Sequence, residues 1–206
     1  MSEKFEDRFK HAIKLEKSGQ IEDAVKEYSL LIKEDKNYRN AYLNLGALYA
    51  RMKMYAKAMD FYKRSLSLKE DYLVYFNIGS IYYKNGEYKK SIIHLEKSKQ
   101  LKNDYPLSLL VIGLCYSRLN NIAAALSNFQ SVISISPHNR VALTALAIIY
   151  FNEKDFSEST KHVNTLLSLD ENNKTVQDLK TSILYETNQI DEFNNEIKTI
   201  KKQSSG

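Results

Sequence analysis

Four histidines, a single cysteine and a few adjacent carboxylates are the side chains in this sequence with the chemistry for catalysis or metal binding. His11, His94, His138 and His162 are far apart, and none forms the HxxxH or HExxH spacing that sets two imidazoles on one helical face for a metal. Cys115 is the sole thiol, so neither an intramolecular disulfide nor a thiolate cluster can form. Flanked by apolar residues and Tyr116, it reads as a small core residue rather than a nucleophile. Glu22-Asp23 and Asp191-Glu192 stand near expected helix starts, where negative charge meets the positive end of the helix dipole. No GxxxxGK(S/T), GxGxxG or GxSxG loop is present. The sequence predicts no enzyme, no cofactor and no metal site.

A repeat positions everything else. A small residue recurs as Gly46, Gly79, Gly113 and Ala147, at steps of 33 or 34 residues. Three residues after each stands Tyr49, Tyr82, Tyr116 or Tyr150, and twelve after each stands Ala58, Ser91, Ala125 or Ser159. Such a period is the mark of a stacked array rather than a globular enzyme. With the small residue as the eighth position, the units are 5–38, 39–71, 72–105, 106–139 and 140–173. Each carries two helical stripes, such as Tyr42, Leu45, Gly46 and Tyr49, then Tyr55, Ala58, Met59 and Tyr62. The break between stripes holds Ser18-Gly19-Gln20, Asn85-Gly86-Glu87 or Asn120-Asn121, residues that accept the left-handed end of a helix. Every unit is thus expected to be a helical hairpin whose small columns let its two helices approach closely. Residues 1–4 form an N-terminal extension, 174–186 and 190–202 read as two degenerate capping helices, and 203–206 as a disordered tail.

These columns resemble the tetratricopeptide repeat family over about residues 5–202. The second unit matches with Tyr42, Leu45, Gly46, Tyr49, Ala58, Tyr62 and Ser65; the fourth matches with Ile112, Gly113, Tyr116, Ala125, Phe129 and Pro137. His11, Lys180, Thr181 and Phe193 depart from the pattern at the two ends, where no neighbour covers the array. The resemblance implies an all-α, right-handed superhelical solenoid of stacked hairpins that acts as a non-catalytic adaptor. It also implies that the first helix of each hairpin faces the ligand. The carried-over groove residues are Leu43, Phe76 and Leu110 at position five; Ala47, Ser80, Leu114 and Ile148 at position nine; and Tyr83, Ser117 and Phe151 at position twelve. Their apolar character suits a hydrophobic or amphipathic segment of a partner protein.

Position thirteen is basic four times running, in Lys17, Arg51, Lys84 and Arg118. A cation there either satisfies the helix dipole or forms a rail for acidic side chains. Some family members clamp a terminal carboxylate with a Lys–Asn pair at positions five and nine and an Asn at position six of the next unit. Asn44 and Asn77 match position six, but Phe9/Ile13 and Leu43/Ala47 replace the pair, and Leu107 and Val111 replace the last two cations, so that clamp is rejected.

The net charge of +5 is spread, with 15 basic and 12 acidic side chains over residues 1–71 and five of each over 174–206. Alternation of this kind fits a solvated helical surface and argues against nucleic acid. No apolar run is long enough to insert into a membrane, and the charged start Met1-Ser2-Glu3-Lys4 lacks the apolar core of a signal peptide, so a cytoplasmic location is expected. Between Pro106 and Asn139 only Arg118 is charged, which leaves the outer surface of residues 123–134 neutral and open to a partner or a second copy. A client-specific chaperone and a self-assembling structural protein are the alternatives to an adaptor.

Overall fold

The computed structural model describes residues 3–203, which contain eleven α-helices and no strand. Ten helices come first: the hairpins α1 (Glu3–Lys17) with α2 (Ile21–Glu34), α3 (Arg39–Arg51) with α4 (Tyr55–Leu68) and α5 (Tyr72–Lys84) with α6 (Tyr88–Leu101), then α7 (Pro106–Arg118) and α8 (Ile122–Ile135), and the hairpin of α9 (Arg140–Asn152) with α10 (Phe156–Leu169). A single long helix, α11 (Lys174–Gln203), closes the chain. It runs straight through 187–189, where two separate helices were expected. None of those three residues is a glycine or proline, and nothing else in Thr187-Asn188-Gln189 stops an i→i+4 ladder. Of the expected tail, Gln203 ends α11 and 204–206 lie outside the described residues.

One backbone device makes all five turns. The fifteenth residue of each unit, Gly19, Lys53, Gly86, Asn120 or Lys154, has a positive φ of 57–81°. The next amide then turns back onto a carbonyl five residues earlier: Gln20 to Leu15, Met54 to Tyr49, Glu87 to Tyr82, Asn121 to Tyr116 and Asp155 to Tyr150, all at 2.8–2.9 Å. This is the Schellman closure, which satisfies carbonyls that a helix end leaves free. Helix starts are capped less uniformly. Asp71 accepts from the Leu73 and Val74 amides, while Asn121, Asn139 and Asp155 cap α8, α9 and α10.

The chain comprises two compact units, one ending at Cys115 and one starting at Tyr116. In the first, Ala12, Ala24, Tyr28, Leu31, Tyr38 and Ala41 pack α1, α2 and α3 together, and Ala58, Tyr62, Val74, Ile78 and Ile81 join α4 to α5. Arg39 reaches across to the cap residue Asp71 at 2.6 Å, with both side chains largely covered. In the second unit Leu143, Ala147, Val163 and Leu166 form the core, and Val176 and Ile183 of α11 complete it. Burial of each such aliphatic side chain is worth about 1.5–3 kcal/mol, which fixes the first half of α11 on the hairpin before it.

Two columns lock the helices of a hairpin to each other. Ser91 donates to the Gly79 carbonyl at 2.7 Å, and Ser159 donates to the Ala147 carbonyl at 2.8 Å. Flat ring stacks form a second column: Tyr49 on Phe61, Tyr82 on His94 and Tyr150 on His162, with centroids 5.3–5.7 Å apart. Burial in these stacks lowers the pKa of both histidines; for His162 the nearby Glu158 opposes the shift and Lys161 adds to it. A folded-state pKa below the unfolded value of about 6.5 leaves stability complete above that pH and erodes it as pH falls through the folded value. The melting temperature should therefore drop on acidification from about pH 7.5 to about pH 5.5. The double substitution His94→Phe/His162→Phe, which copies Phe61, should flatten that pH dependence in thermal melts.

Candidate functional site

The first-helix face of the first unit opens between two neighbouring first helices. Between α3 and α5 lies a cavity of about 210 Å³, lined by Ala47, Ala50 and Arg51 from α3, Asn77, Ser80, Ile81 and Lys84 from α5, and Tyr62 from α4. Small side chains at Ala47, Ala50 and Ser80 leave the space, Ile81 supplies an apolar wall, and Arg51 and Lys84 are exposed cations at its rim. No carboxylate lines it.

Tyr62 reaches this face from behind. Its ring lies against the backbone of Gly46, where an added Cβ would sit 2.5 Å from Cε1 of the ring. The residue is only 1% exposed, yet it lines the cavity, and the Asn77 side chain stands beside its hydroxyl on the donor side. Burial raises the phenol pKa strongly, and the Asn77 amide offsets only part of this. The group stays a neutral O–H.

An equivalent arrangement sits one hairpin earlier, already filled. The Tyr28 hydroxyl, also buried, receives a bond from Asn44 Nδ2 at 3.1 Å and gives one to Glu16 Oε2 at 3.3 Å. Arg51 donates to the other Glu16 oxygen at 2.6 Å. Burial, then the Glu16 charge, raises the Tyr28 pKa. Asn44 and Asn77, matched by sequence to a carboxylate clamp, instead turn to tyrosines of the preceding hairpin: Asn44 bonds Tyr28, and Asn77 stands beside the Tyr62 hydroxyl.

Of the residues expected to face a ligand, the structure gathers Ala47, Arg51, Ser80 and Lys84 around the cavity. Leu43 is half-buried and packs on the cluster of Ala58, Tyr62 and Val74. Phe76 lies edge-on to Tyr105 and Tyr83 meets Tyr88, so both rings are partly committed. Leu110, at 8% exposure, is buried rather than open on that face. Leu114 is half-buried, and Ser117 and Arg118 are exposed at the end of α7. Ile148 is 45% exposed on α9 and Phe151 packs against Phe156, both within the second unit.

Tyr62, Asn77, Ala50 and Ile81 were not identified from sequence. The signal available was a tyrosine in the second helix followed by an asparagine in the next first helix, at 28/44 and 62/77.

Elsewhere several polar groups are paired locally, although among the described residues the buried Ser65 hydroxyl has no partner. Cys115 is buried and donates to Ser91 Oγ at 3.3 Å; burial raises its pKa against a smaller opposing effect of that bond, so the thiol is held in its unreactive form. On α8, Asn128, Ser131 and Ser134 bond to carbonyls of their own helix, which leaves a neutral surface with its polar groups already paired. Among the described residues no group of three or more His, Cys, Asp or Glu could hold a metal, and no helix is long and apolar enough to cross a membrane.

Sequence matches to the tetratricopeptide repeat cover 40–72, 73–105 and 118–183. The chain belongs to the tetratricopeptide repeat family, an all-helical repeat fold built for protein interaction. No curated protein matches it by sequence. Solved structures share the fold at low identity. PilF of Pseudomonas aeruginosa aligns at 15% identity over 91% of this chain and 86% of its own, with a TM-score of 0.78. MamA from Desulfovibrio magneticus aligns at 16% over 84% and 99%, with a TM-score of 0.73. YrrB, described as a tetratricopeptide protein with an unusual peptide-binding site, aligns at 18% over 84% and 90%, with a TM-score of 0.68.

The contact between Gly46 and Tyr62 controls the cavity. Gly46→Ala forces the ring away from α3, and overpacking of this kind costs about 1–3 kcal/mol. Chemical denaturation should show that loss. The Tyr62 and Asn77 resonances should shift with it, because the hydroxyl is withdrawn from Asn77.

Proposed function

We propose that this chain is a non-catalytic protein-interaction scaffold that holds a segment of a partner protein on the first-helix face of its first unit, in the groove between α3 and α5. The observation that carries this reading is the cavity itself. Ala47, Ala50 and Ser80 stand where larger side chains would close the face, as Ile13 and Glu16 do at the positions equivalent to Ala47 and Ala50 one hairpin earlier. An extended or helical segment gains apolar contact with Ile81 and the half-buried Leu43, Phe76, Tyr83 and Leu114 along the same row of first helices. Arg51 and Lys84 fix its orientation from the rim. The protein named for a peptide-binding site among the structural relatives is in keeping with this use of the fold.

Selection of random dodecapeptides displayed on phage tests the reading whatever the identity of the partner. Peptides retained by the wild-type chain should lose at least about tenfold in affinity when Ala47→Trp or Ser80→Trp fills the cavity, as expected for obstruction at the centre of an interface. Lys63→Trp, on the exposed side of α4, should leave affinity unchanged. Circular dichroism melts establish that each variant is folded. Peptides that bind the cavity-filled variants as well as the wild type would overturn the groove as the site.

A further inference from the structure

The first two tyrosine–asparagine junctions of the first unit differ by one carboxylate. At the first, four groups form a closed chain: Asn44 donates to Tyr28, Tyr28 donates to Glu16, and Arg51 donates to Glu16. At the second, Asn77 stands beside the Tyr62 hydroxyl at the repeat position of Asn44, and Lys84 stands at the repeat position of Arg51. The residue at the repeat position of Glu16 is Ala50. Three parts of the chain are present and the acceptor is missing.

What is missing leaves physical traces. The cavity lies where the absent side chain would run, beside Ala50 and against Ala47. Among the described residues no carboxylate lines the cavity beside Tyr62, and Lys84 has no carboxylate partner. Arg51, already bound to Glu16, turns part of its surface to the same space. Two cations, a phenol and an amide therefore converge on a void with no anion of its own. Of the other side chains of the lining, Ala47, Ala50 and Ile81 suit the methylenes that carry a side-chain carboxylate, and Ser80 adds a small hydroxyl beside them.

We propose that the cavity is a receptor for one glutamate side chain of a partner segment, whose carboxylate accepts from Tyr62 Oη and Lys84 Nζ as the carboxylate of Glu16 accepts from Tyr28 and Arg51. The proposal rests on the groove reading above and assigns the chemistry of its occupant. A side chain, rather than a chain end, is the occupant because the protein's own example is a side chain. Tyr62, Lys84 and Ala50 carry the specificity, and Asn77 is a positioning residue that fixes the Tyr62 hydroxyl.

A double-mutant cycle tests it. Dodecapeptides that bind the wild-type chain and are lost on Ala47→Trp are resynthesised with amidated C-termini. Each acidic residue is changed in turn to its amide, and every peptide is titrated against wild type and Lys84→Met. One glutamate should matter: its change to glutamine should weaken wild-type binding about tenfold, the weight of one charge-assisted hydrogen bond, and should have a clearly smaller effect on Lys84→Met, where only the Tyr62 donor remains. Ala50→Glu should supply the carboxylate from within and weaken the same peptides, whereas Ala50→Gln should do so less. Peptides that need Ala47 open but show no coupled glutamate overturn the carboxylate receptor while leaving the groove in place. Peptides that bind only with a free C-terminus overturn the side-chain source. Peptides indifferent to Ala47→Trp overturn the groove itself.

Discussion

Close approach of the two helices in a hairpin is the constraint on which the rest of this molecule depends. At Gly46 the backbone of α3 and the ring of Tyr62 are so near that no Cβ fits between them. The ring is long enough that its hydroxyl then emerges on the far side of the helix layer, among residues of α3 and α5. A buried hydroxyl without a partner costs free energy, so its emergence obliges the next first helix to supply one, and Asn77 stands beside it. Packing inside the hairpin thereby dictates a polar point on the binding face. Gly79 plays the matching steric part against Leu95, a residue with no polar end, and no such point arises there.

Electrostatics on this face follow from helix ends rather than from overall charge. Lys17, Arg51, Lys84 and Arg118 each stand in the last turn of a first helix, where a cation interacts favourably with the free carbonyls. That preference alone explains the column. Its consequence differs from site to site because the neighbouring position varies: Arg51 meets Glu16, while Lys84 meets the space above Ala50. An exposed ion pair contributes little to stability, and Arg51 is more than half exposed. The Glu16 bridge is therefore more telling as a demonstration of geometry than as a source of stability.

Repetition also shows which features are structural. The left-handed turn residue and its five-residue closure occur at all five turns, including those where lysine must adopt a positive φ. The stacked rings recur with Phe61, His94 and His162 in one column, which indicates that flatness and size matter there rather than imidazole chemistry. Both histidines are consequently core groups. Likewise Cys115 sits within a line of serine hydroxyls and backbone carbonyl, where its thiol is one more small packed group.

Much of the fold was legible in the sequence because its causes are local and periodic. A glycine or alanine every 33 or 34 residues, apolar stripes at helical spacing and turn residues between them specify ten helices and their pairing. The long α11 was misjudged because a helix carried on beyond its packing partners leaves little mark in the pattern. The candidate site was half legible. Position in the repeat located Ala47, Arg51, Ser80 and Lys84 around the cavity, but did not reveal that Leu110 is buried, since repeat position does not give the depth of a side chain. The sequence alone determined the architecture and the charge at each helix end. Only the tertiary structure decided that Tyr62 passes Gly46 to meet Asn77 beside a void at Ala50, because those residues come from three helices and meet only when side chains of particular lengths are packed in three dimensions.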